Sequence, residues 1–87
     1  MKNTERILKA LANKRRLTII KFLRKEKEAT VGDIAEHIKL SFKATSKHLT
    51  VLLGADIVDR DQRGLEMWYE LAPNPHHIAR YVSNSLE

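Results

Sequence analysis

Apolar residues recur at helical spacing along most of the chain, and strict alternation appears in only one stretch. Ile7, Leu8 and Leu11 form a stripe that predicts a first helix over residues 4–12, with Asn3 or Thr4 as its cap. Asn13 is the next cap, for a second helix over 14–26. There Leu17, Ile19, Ile20, Phe22 and Leu23 spread around most of the circumference, leaving only a strip through Lys14, Thr18, Lys21 and Lys25 polar. A helix apolar on most sides is packed on most sides, so the second helix is expected at the centre. Thr30 and Asp33 have capping-box spacing and open a short third helix, with Val31, Ile34, Ala35 and Ile38 as its stripe. Lys39-Leu40 makes a tight turn, and Ser41 caps a fourth helix over 42–54.

Beyond Gly54 the period changes. Leu65, Met67, Tyr69 and Leu71 alternate with Glu66, Trp68 and Glu70, which predicts a half-buried strand over 65–71. Residues 57–61 read as its partner, and Gln62-Arg63-Gly64 as the tip of the hairpin. Pro73 and Pro75 end the second strand and introduce a last helix over about 75–86, striped by Ile78, Tyr81 and Val82. The expected fold is mainly α with one β-hairpin, in the order helix, helix, helix, helix, strand, strand, helix. Two short helices joined by a tight turn and followed by a hairpin make a winged helix-turn-helix, here a single domain over residues 1–87.

The fourth helix carries the candidate chemistry. At about 100° per residue, Thr45, Leu49 and Leu52 fall within one narrow arc that faces the core. Phe42 and His48 flank that arc, and Phe42 is read as packing at the core edge. Lys43, Lys47 and Thr50 stack on the opposite side, with Ala44 and Ser46 beside them. No Asp or Glu lies between Ile38 and Ala55. Such a face suits a phosphate backbone and the edges of bases, and Ser41 with the free N–H groups of the first turn suits a phosphate. Arg60 and Arg63 in the hairpin are expected to reach a neighbouring phosphate or the minor groove.

Composition narrows the choice. The 87 residues carry a net charge of +5, which favours an anionic partner. The absence of cysteine excludes disulfides, thiolate metal sites and cysteine nucleophiles. No apolar run has the roughly 18 residues of a membrane span and the start has no signal-peptide pattern, so a soluble, cytoplasmic protein without membrane contact is expected. There is no glycine-rich phosphate loop, metal triad or nucleophile with an evident base, so neither an enzyme nor a cofactor is expected.

Three segments resemble the arsenic-repressor (ArsR) family of winged-helix regulators. They are LKALANKRRLTIIKFL (8–23), LSFKATSKHLTVLLGADIV (40–58) and RDQRGLEMWYEL (60–71). The resemblance implies a homodimer that binds an imperfect palindrome of double-stranded DNA; many members release DNA when an effector binds, and the sequence gives neither the existence nor the identity of one here. It implies DNA contacts by Ser41, Lys43, Ala44, Ser46 and Lys47, with His48 at their edge. It implies a dimer interface through the first and last helices, using Ile7, Leu8, Leu11, Ile78, Tyr81 and Val82. Where metal-sensing members carry a cysteine pair, this chain has Ala29-Thr30-Val31-Gly32-Asp33, so soft-metal sensing there is not expected. His76, His77 and Glu87 are the remaining candidates for the zinc ligands of another group. Adjacent histidines on a helix point about 100° apart, so capping or solvent exposure is the expected role. Phe42 stands where many members have a polar base-reading residue. The alternatives are an RNA-binding winged helix, which needs exposed aromatics (Trp68, Tyr69 and Phe42 being the candidates), and a protein-interaction module.

Overall fold

A computed structural model describes residues 2–86, with side chains from residue 3 onward. Five helices and three short strands follow in the order α1 (Lys2–Leu11), α2 (Lys14–Glu26), β1 (Glu28–Thr30), α3 (Val31–Ile38), α4 (Phe42–Gly54), β2 (Val58–Arg63), β3 (Glu66–Leu71) and α5 (His77–Ser85). The helix-turn-helix and the wing are both present. α2 lies at the centre and packs on α1, α3, α4, α5 and two strands. Its Ile19, Ile20 and Leu23 are fully buried with Ile34, Leu49, Leu52 and Val58. None of the helices described is long and apolar enough to cross a membrane.

Local chemistry sets most helix ends. The side chains of Asn13, Thr30 and Ser41 accept hydrogen bonds from the backbone N–H groups of Arg16, Asp33 and Ala44, each at 3.1 Å. The turn between α3 and α4 is a Schellman motif. Lys39 takes the left-handed conformation (φ 56°), Leu40 N–H donates to Ala35 O at 3.0 Å and Lys39 N–H to Glu36 O at 3.3 Å. A second such motif ends α4, with Asp56 left-handed (φ 57°) and Ile57 N–H donating to Leu52 O at 3.0 Å. Ile57 is thereby buried in the helix terminus and starts no strand, so β2 begins at Val58.

The elements differ from the sequence expectation in other places too. The wing has a third strand: β1 pairs antiparallel with β3, giving the order β1-β3-β2. Three residues are too few to show alternation, and only Ala29 among them is buried. The hairpin tip is the two-residue turn Gly64-Leu65, because Arg63 pairs across the ladder with Glu66. Gly64 (φ 62°) supplies the positive φ at the first central position, as in a type II′ turn. α1 starts at Lys2, which places Asn3 and Thr4 within the helix and not at its cap. α5 starts later than expected, at His77, because His76 is its cap and its Nδ1 accepts from Ile78 N–H at 3.1 Å. His76 and His77 stack on each other with ring centroids 4.1 Å apart, and Glu87 lies outside the described residues.

Candidate nucleic-acid interface

α4 is held from behind and bare in front. Thr45, Leu49 and Leu52 have no exposed surface, while Lys43, Lys47 and Thr50 are exposed and Ala44 and Ser46 half-buried. Neither lysine has a salt bridge among the described residues. Ser41 is exposed at the helix N-terminus, with its Oγ committed to capping Ala44. The Thr50 hydroxyl donates to Ser46 O at 2.9 Å, which leaves its oxygen free to accept.

His48, at the edge of this face, is half-buried, and its Nδ1 lies 3.3 Å from an Arg16 guanidinium nitrogen. Arginine only donates, so Nδ1 accepts and the ring proton resides on Nε2. Partial burial, then the positive charges of Arg16 and Arg15, hold the His48 pKa below the ordinary imidazole value. The ring is therefore neutral at neutral pH and adds no cation to the face. Arg16 also donates to Ala10 O at 2.6 Å and Lys9 O at 3.0 Å, and Arg15 donates to Ile38 O at 3.3 Å. The start of α2 thus ties together the ends of α1 and α3 and the side of α4. The cluster Lys14-Arg15-Arg16 reads in sequence as plain positive charge, and only the tertiary contacts show this tying role.

The two wing arginines have different surroundings. Opposed residues in an antiparallel ladder share a face. By register Glu28, Asp59, Asp61, Glu66 and Glu70 lie on the outer face of the sheet together with Arg63 and Trp68. Arg63 makes a bidentate pair with Glu28 at 2.7 and 2.9 Å, donates to Asp61 at 3.1 Å, and sits 5.0 Å from the centre of the Trp68 ring. The hydrogen bonds from Arg63 hold the Glu28 carboxyl below the usual carboxylate range, and those to Glu28 and Asp61 push the Arg63 pKa up. Sequence reasoning missed Glu28 because β1 was not apparent. Arg60 lies opposite buried Tyr69, on the face turned toward α4, and is exposed with no ion pair among the described residues.

The remaining sequence candidates divide similarly. Ile7 and Leu11 are buried in the protomer's own core, whereas Leu8 (50% exposed) and Tyr81 (75%) stand outward on α1 and α5, which pack on each other. Ile78 and Val82 are half-buried against the core. Of the aromatics an RNA reader would need, Tyr69 is buried and Trp68 is half-buried under Arg63. Phe42 does not pack at the core edge as expected; it is 63% exposed.

This arrangement has relatives. Residues 13–60 match the family model described as bacterial regulatory protein, arsR family. The chain is 34% identical over 65 residues to the transcriptional repressor SdpR of Bacillus subtilis, a match that covers 75% of this chain and 71% of SdpR. The crystal structure of the transcriptional repressor PagR of Bacillus anthracis superposes with a TM-score of 0.78 at 27% identity, covering 97% of this chain and 93% of that one. The homodimeric winged helix-turn-helix DNA-binding domain of Mb0332 from Mycobacterium bovis gives a TM-score of 0.82 at 28% identity, covering 97% and 75%. With its helix-turn-helix, its wing and these likenesses, the chain belongs to the arsR family of bacterial regulatory proteins.

Proposed function

We propose that this chain is a homodimeric, DNA-binding transcriptional repressor that acts by binding and not by catalysis. Its two α4 helices enter successive major grooves of a palindromic operator, about 34–36 Å apart. The observation that carries this reading is the outer face of α4, which is exposed, free of acid and lysine-bearing, and held rigid by three buried side chains. Lys43 and Lys47 meet phosphates, Ala44, Ser46 and Thr50 approach base edges, and Ser41 with the helix N-terminus takes a phosphate. His48 borders the contact as a neutral group. The relatives named as repressors and the homodimeric neighbour support the same assignment. Leu8 and Tyr81, flanked by Ile78 and Val82, form the dimer surface, while Ile7 and Leu11 support it from within.

Lys47→Ala is expected to weaken binding to all duplexes alike and to reduce the log–log salt slope by about one per protomer. Unchanged affinity and slope, measured by fluorescence anisotropy across a salt series, would remove α4 from the contact. A preference for single-stranded or double-stranded RNA over DNA of matched length would move the function to RNA.

The wing contacts DNA through Arg60, and Arg63 serves to hold the wing against β1. Facing phosphates with the outer side of the sheet would bring five carboxylates toward like charge. Arg60→Gln is therefore expected to lower the salt slope by about one per protomer, while Arg63→Gln leaves it unchanged. Glu28→Gln and Arg63→Gln should each weaken binding by less than about fivefold, the range of an exposed ion pair, and the double variant should be no worse than either single one. Tighter binding by Glu28→Gln would show instead that Glu28 holds Arg63 back from DNA. The clamp is at full strength above the ordinary carboxylate pKa. It loosens as pH falls through the depressed Glu28 value, so it is intact throughout the neutral range.

A further inference from the structure

Phe42 is the first residue of α4 and stands 63% exposed at the border of the lysine-bearing face. With Lys43, Ser46, Lys47, Thr50 and Val51 it lines one shallow concavity on the outer side of the helix. A single exposed apolar side chain carries no meaning by itself; its neighbours decide here. Lysines are depleted from the centres of protein–protein interfaces, so a ring that shares its concavity with Lys43 and Lys47 fits an apolar protein groove poorly. The same charges suit DNA, and a reading helix addresses base edges with its N-terminal residues, which is where Phe42 lies. Phenylalanine has no donor or acceptor with which to read the polar groups of the major groove. The one apolar group that a base pair presents there is the C5-methyl of thymine.

We propose that Phe42 is a specificity-determining residue that packs against the C5-methyl of a thymine in each half-site of the operator. The proposal rests on α4 entering the major groove and names one base feature that it reads there. The test uses duplexes recovered by the full chain from a randomised pool, with each thymine replaced in turn by deoxyuridine. That change deletes the methyl and keeps the pairing and the O4 acceptor. One position per half-site is expected to lose about fourfold in affinity, the worth of one buried methyl group, and about 15-fold when both half-sites are changed. Phe42→Ala should bind thymine and uracil equally at that position, retain the full salt slope, and melt as the native protein does, because the ring supports no core. Indifference of the native protein to every uracil, or a Phe42→Ala variant that keeps the sensitivity at the same position, overturns the proposal while a steep salt slope leaves the major-groove reading standing. A pool that yields no duplex with salt-dependent affinity overturns both.

Discussion

Leu49→Ala is expected to lower folding stability by about 2–5 kcal/mol, the range for truncating a fully buried leucine without collapse of the cavity. Leu49 has no exposed surface and lies in the core with Ile19, Ile20, Leu23, Ile34 and Leu52. Typical domains hold only about 5–15 kcal/mol in total, so this one change removes a large share of the margin. For a chain of this size it corresponds to a fall in melting temperature on the order of 10–30 °C. Denaturant titration should show a lower midpoint with an unchanged slope, which marks a loss of stability and not a change in the extent of unfolding. Lys47→Ala, on the opposite side of the same helix, should stay within about 0.5 kcal/mol of the native protein. The contrast tests the central geometry directly. If Leu49→Ala cost less than about 1 kcal/mol, α4 would not be anchored through this arc, and a face that is not anchored cannot position lysines on a phosphate backbone.

Leu8→Asp is expected to turn dimers into monomers while the protomer stays folded. Leu8 is half-exposed on α1, so a carboxylate there remains hydrated in the free chain. In a two-fold interface every substitution occurs twice, and the two carboxylates would be desolvated together with no cation supplied to meet them. Sedimentation velocity should show a single monomeric species with unchanged circular dichroism. Operator affinity should fall by about 10²–10⁴, the advantage lost when two linked reading helices become independent. Tyr81→Asp, on α5, should do the same. Val82→Asp is a poorer probe, since Val82 packs partly against the core and its loss would also destabilise the protomer. Intact dimers for both Leu8→Asp and Tyr81→Asp would place the interface on another surface.

The errors of the helical wheel are instructive. Phe42 and Leu49 project at nearly the same angle on α4, yet one is exposed and the other fully buried. A wheel discards position along the axis. The two residues are seven apart, about 10 Å of rise, and helical side chains lean toward the N-terminus, which carries the Phe42 ring further past the end of the core. Ile7 and Leu8 show a related limit. Both belong to one apolar stripe, but the stripe does not say which part of it the chain covers itself and which part is left for a partner.

The helices, their caps at Asn13, Thr30 and Ser41, the wing and the outward turn of Lys43 and Lys47 all follow from residue order, because each depends on neighbours within a few positions along the chain. β1, the bidentate hold of Glu28 on Arg63, the link from Arg16 to His48 and the exposure of Phe42 do not. Each of the three contacts joins residues more than 30 positions apart, and the fourth depends on where the core ends. No local periodicity encodes such distances, so they are fixed only when the elements pack.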